Sequence, residues 1–102
     1  MLDEYRGLFA VGDTIVKFTE SETAILLLLC LKYQRISLDK KNKLEDLVTA
    51  EEMQRAIKQV TGDNASASYT EATRSRVNLR LNKLGYSIKK QPRMGYYLKK
   101  GR

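Results

Sequence analysis

The chain has 102 residues, enough for one compact domain spanning 1–102 and not for two, because a core drawn from fewer than about 60 residues is marginal. Its 42% hydrophobic content and single Pro point to a packed globule, and nineteen Lys and Arg against twelve Asp and Glu give a net charge of +7, which favours a polyanionic partner. With no His and one Cys, zinc sites, Ser-His-Asp or Cys-His triads and imidazole acid–base chemistry have no material, so neither enzyme activity nor a metal or cofactor is expected.

The charges are segregated along the chain. Residues 1 to 52 carry ten acids and seven bases, whereas residues 53 to 102 carry twelve bases against only Asp63 and Glu71. From Ala72 onward ten bases meet no acid, so the C-terminal third is the electrostatically active part. The pairs Glu45/Asp46 and Glu51/Glu52 lie beside predicted helix starts, where acids oppose the positive end of the helix dipole.

In chain order, Leu8–Val11 and Thr14–Phe18 are β-prone runs around the turn pair Gly12-Asp13, and predict a hairpin. Thr19-Glu20-Ser21-Glu22 has the capping-box form and opens into a first helix through Thr23–Tyr33, apolar almost all round and therefore central to the core. Cys30 falls in its apolar run, Ala24 to Leu31, as a small buried thiol, which fits a reducing cytoplasm. That run is far short of the roughly 20 residues that cross a bilayer, and it follows acids rather than a basic flank, so no membrane or export segment is expected.

Gln34–Val48 lacks a clear period and reads as a connection holding one turn of helix or a short strand. A second capping box, Thr49-Ala50-Glu51-Glu52, starts a helix with Met53, Ala56, Ile57 and Val60 on one stripe, ending at Thr61-Gly62. A small, polar loop follows to Ser68. Ser68-Tyr69-Thr70-Glu71 predicts the cap of a third helix at about 69–84, with Val77, Leu81 and Leu84 inward and Gly85 as its stop. Ser75, Asn78, Leu79, Asn82 and Lys83 occupy the opposite side, where Leu79 is an apolar residue among polar ones. Tyr86–Lys90 and Tyr96–Lys99 are strands about the turn Gln91–Gly95, with Tyr96 and Leu98 on one face and Tyr97 on the other.

An N-terminal β-hairpin, three helices and a C-terminal basic β-hairpin make an α+β domain on the winged helix-turn-helix plan. Four patterns sharpen this: Phe18-Thr19-x-x-Glu22, Val48-Thr49-x-Glu51, Val77-Asn78-Leu79-Arg80-Leu81-Asn82-Lys83-Leu84-Gly85 and Gly95-Tyr96-Tyr97-Leu98. Together, from about Leu8 to Leu98, they resemble the DNA-binding domain of the OmpR/PhoB-type transcriptional regulators, a bacterial family.

The resemblance implies sequence-specific double-stranded DNA binding and transcriptional control in the cytoplasm, with the third helix in the major groove and the wing, 86–99, at the minor groove. By position it places Asn78, Leu79 and Lys83 at base edges and Arg76, Arg80 and Asn82 nearer the backbone; Arg74 and Arg93 complete the expected basic set. It also implies RNA polymerase as a partner of loop 61–68 and a head-to-tail dimer on DNA. The chain departs from the family in having room for two N-terminal strands rather than four, a longer 34–48 connection, and Arg93 one position late in Pro92-Arg93-Met94-Gly95-Tyr96. No receiver domain is present, so the chain corresponds to an excised effector domain or a small stand-alone regulator. Two other readings remain: an RNA-binding winged helix, disfavoured because the basic helix lacks interleaved aromatics for stacking, and a protein-interaction module whose basic face meets an acidic partner. Arg74, Arg76 and Arg80 have the bland reading of solvated helix charges, and Leu79 has two readings, packing on a neighbouring element or contact with a thymine methyl.

Overall fold

Alternating apolar residues on either side of a two-residue glycine turn zip into antiparallel strands whenever one face can be buried. In the computed structural model, which describes residues 2–3, 5–39 and 47–100, this gives β2 (Leu8–Val11) and β3 (Thr14–Lys17), with Phe9 opposite Val16. A strand absent from the sequence expectation, β1 (Leu2–Asp3), pairs with β2 and completes a sheet in the order β1-β2-β3. Two residues are too few to show alternation, which is why the sequence does not announce it.

Helix α1 spans Glu20–Asp39. Its start is the expected reciprocal cap: the Glu22 amide donates to Thr19 Oγ1 at 3.3 Å and the Thr19 amide donates to Glu22 Oε1 at 2.8 Å. The helix continues past Tyr33, so the expected connection at Gln34–Val48 begins six residues later than its loss of periodicity suggested. No Gly or Pro stands between Gln34 and Asp39 to stop it, and propensity carries a helix where amphipathicity fades. Residues 40–46 of that connection lie outside the described residues. At its far end Val48 makes a strand-like bridge, exchanging two 2.8 Å backbone hydrogen bonds with Tyr96.

Helix α2 (Ala50–Thr61) begins with the complete Thr49/Glu52 capping box and stops at Gly62, whose φ of 80° turns the chain left-handed while its amide donates to the Lys58 carbonyl. Met53 and Ile57 are buried, Ala56 is half-buried and Val60 is exposed, so the predicted stripe covers the core only over its first two turns.

Helix α3 runs Ala67–Asn82 rather than 69–84. Ser66, not Ser68, is the cap: its hydroxyl accepts from the Tyr69 amide at 3.0 Å, and Thr70 Oγ1 donates back to the Ser66 carbonyl at 2.9 Å. Both serines suit a cap by type, and burial decides between them, since Thr70 and Thr73 are core-facing and need helical backbone before them. At the other end Leu84 and Gly85 donate to carbonyls three residues back, a tighter closing turn beyond the helix.

Strands β4 (Tyr86–Gln91) and β5 (Gly95–Lys100) pair with Ile88 opposite Leu98 and Gln91 opposite Gly95. Their turn closes with Met94 N donating to Gln91 O at 3.0 Å; Pro92 occupies its second position and Arg93 its third, at φ 66°. That is the conformation in which a type II turn ordinarily places glycine. Gly95, at φ 144°, has no room for a side chain, because a Cβ there would sit 2.8 Å from the Val48 carbonyl oxygen.

Among the described residues the fold is thus α+β, three helices with two small antiparallel sheets. Ile25, Leu26 and Leu29 of α1 meet Met53 and Ile57 of α2, Val77 and Leu81 of α3, and Ile88 and Leu98 of the hairpin in one core. Tyr86 joins the sheets edge-on, 6.1 Å from the Phe9 ring and 6.4 Å from that of Tyr33. Cys30 is half-buried rather than fully buried, and desolvation pushes its thiol up to about 11, so it stays protonated at neutral pH. Among the described residues no helix is long and apolar enough to cross a membrane.

Candidate nucleic-acid interface

Helix α3 and the hairpin carry the acid-free, basic part of the chain, and the helix period fixes which side chains point away from the core. With about 100° per residue, Ser68, Ala72, Ser75 and Lys83 fall within about 40° of Leu79 on the outer side. All five are exposed, Leu79 by 65%. Val77 and Leu81 lie opposite, fully buried, as the stripe predicts.

The three arginines do not stand on the outer line. Arg76 and Arg80 converge on the Glu22 carboxylate, which is fully buried beneath them. Arg76 Nε donates to Glu22 Oε2 at 3.3 Å, and Arg80 Nη1 donates to Glu22 Oε1 at 2.6 Å and to the Lys17 carbonyl at 2.9 Å. Arg76 also reaches Thr73 Oγ1 at 3.2 Å. One carboxylate therefore holds two guanidinium groups, cancels one of their charges, and fixes α3 against the start of α1. Glu22 is absent from the sequence-expected set, where it served only as half of a cap. Its signal was present: an acid three residues into a nearly all-apolar helix is drawn toward the core, and a buried carboxylate requires cations.

Arg74 turns the other way. Its side chain is only 19% exposed, its guanidinium stacks 4.6 Å from the centre of the Tyr96 ring, and Nη2 lies 3.9 Å from Glu71. Lys90 approaches the same ring at 5.9 Å, and these groups border a recess of about 220 Å³ shared by α2, α3 and the hairpin. Tyr96 thereby ties cations of two elements into one patch.

Asn78 does not stand free toward solvent. Its Oδ1 accepts the Ile88 amide at 2.8 Å, bracing the hairpin against α3 and satisfying a donor at the start of the sheet. Asn82 is half-buried, while Lys83 is exposed on the outer line. Arg93 is exposed at the hairpin turn, apart from the helix residues. So Leu79 and Lys83 share the outer line, with Arg76 and Arg80 anchored along one flank of it, Arg74 anchored toward the hairpin, and Arg93 at the tip.

Against known protein-family models the chain finds no match, and no curated protein matches it.

Proposed function

We propose that this chain is a winged helix-turn-helix domain that binds double-stranded DNA sequence-specifically and serves transcriptional control, without catalysis. In this reading α3 enters the major groove and the β4–β5 hairpin is the wing at the minor groove. The observation that carries it is the charge of one contiguous unit: α3 and the hairpin are braced together through Asn78–Ile88 and Arg74–Tyr96, and from Ala72 to Lys100 they hold nine bases and no acid. Arg76, Lys83, Lys90, Arg93, Lys99 and Lys100 are all exposed in that unit.

Phosphate contacts by such cations release condensed counterions and give affinity without sequence; contacts from the outer line of α3 supply preference. The loop expected at 61–68 is confined to residues 62–66 between α2 and α3, and this segment is the candidate contact for RNA polymerase in a pair of domains arranged head to tail on DNA. A salt titration of duplex binding tests the reading. A domain neutralising about five phosphates gives a log–log slope of about −4 to −5. Flat affinity, tighter binding to structured RNA than to duplex DNA, or no duplex binding overturns it.

A further inference from the structure

The hydrogen-bonding residues of α3 are largely committed inside the protein. Asn78 holds the Ile88 amide, Arg76 and Arg80 hold Glu22, and Arg74 lies on Tyr96. What α3 presents outward is a line of Ser68, Ala72, Ser75 and Leu79, ending in Lys83. Leu79 is 65% exposed, lies outside the core cluster, and is the only large apolar side chain on that line. Arg76 and Arg80 flank it at about 60° and about 100° round the helix. The surface around it therefore complements a polyanion in charge, while its centre is an apolar knob with small residues on its N-terminal side, which let the helix backbone approach closely, and Lys83 on the other.

In the major groove only one base presents an apolar group, the C5-methyl of thymine. Resting on the DNA-binding reading above, we propose that Leu79 determines sequence preference by packing on a thymine methyl, so that the preferred site carries a thymine opposite the middle of α3. Recognition at this position is by loss of water from two apolar groups rather than by hydrogen bonding, and Lys83 and the flanking arginines set the position of the helix in the groove.

The test replaces thymines one at a time by 2′-deoxyuridine, which removes the methyl and keeps the pairing edge, in a duplex selected from a random pool by the full chain. Fluorescence anisotropy then compares the wild type with Leu79→Ala, whose exposed position leaves the fold intact. At one or two positions deoxyuridine lowers wild-type affinity about fourfold, the effect of burying one methyl-sized group. In Leu79→Ala the same replacements change affinity less than twofold. Duplex binding that is insensitive to deoxyuridine everywhere, or equally sensitive in both proteins, overturns the inference and leaves DNA binding standing. Leu79→Ala that abolishes self-association while retaining the deoxyuridine penalty assigns Leu79 to a contact between protein copies and overturns it too. Absence of any duplex binding overturns the DNA-binding reading itself.

Discussion

Thr19-Glu20-Ser21-Glu22 and Thr49-Ala50-Glu51-Glu52 are the same local device, a Thr and a Glu three residues apart that close the first turn of a helix. Around Glu52 the device does nothing further: the carboxylate is half-buried and bonds Thr49. Around Glu22 it is fully buried and also receives Arg76 and Arg80 from a helix more than fifty residues away. Identical sequence grammar thus yields a local cap in one place and a tertiary keystone in the other, and the deciding factor is what lies over the carboxylate.

The sharpest way to break the comparison is to truncate both acids. Glu22→Ala removes a cap and leaves two guanidinium groups without their buried partner; because both arginines are partly exposed, the expected loss is about 3 kcal/mol, the low end for such pairs. Glu52→Ala is expected to lose about 1 kcal/mol, the ordinary worth of a cap. Urea unfolding midpoints measure both, and equal losses would reduce Glu22 to a cap like the other. Next in size, Asn78→Ala leaves the Ile88 amide without its acceptor and lowers stability by about 1 to 2 kcal/mol, where a residue serving only base contacts would leave the unfolding midpoint unchanged.

Glu22→Gln keeps the side-chain shape and removes the charge that offsets Arg76 and Arg80. Its folded fraction is expected to bind duplex DNA more tightly, with the salt slope steeper by about one, whereas Glu52→Gln leaves the slope alone. Arg76→Ala lowers affinity for all sequences about equally, and Lys83→Ala alters the preferred sequence at a cost of about 1 to 3 kcal/mol of discrimination, as selected-site sequencing of each variant would show. The smallest effect belongs to the tip. Arg93→Ala loses a few-fold more affinity on an A·T-rich flank than on a G·C-rich one, because a narrow minor groove concentrates negative potential on an inserted arginine; equal losses on both flanks would make Arg93 a phosphate contact.

The legible parts of this fold are those that one element decides alone. The Gly12-Asp13 hairpin, the Thr49 cap with its Gly62 stop, the Val77–Leu81 stripe and the strands about Pro92 follow from period, capping chemistry and turn residues acting within a dozen positions. Where two local answers were equally good, as for Ser66 and Ser68, the choice fell to the buried Thr70. The extension of α1 to Asp39 carries no periodic signal at all. At the candidate site, the sequence distinguishes a basic helix from an acidic one, and singles out Leu79 as anomalous. It does not say which arginines are spoken for, since Glu22 and Arg80 meet only through tertiary packing, nor that Asn78 faces a strand ten residues on.

Gly95 sits with its Cα against the Val48 carbonyl, beside the paired backbone of Val48 and Tyr96. The turn end of the hairpin is thereby held to the segment that leads into α2, with Pro92, Arg93 and Met94 lying beyond that anchorage. Reach and anchorage are separable quantities at this tip: residues inserted between Gln91 and Gly95 extend it beyond the Val48–Tyr96 bridge and leave that bridge in place. A series of tip-length variants would therefore act as a ruler, reporting the distance from the domain to whatever surface the tip meets.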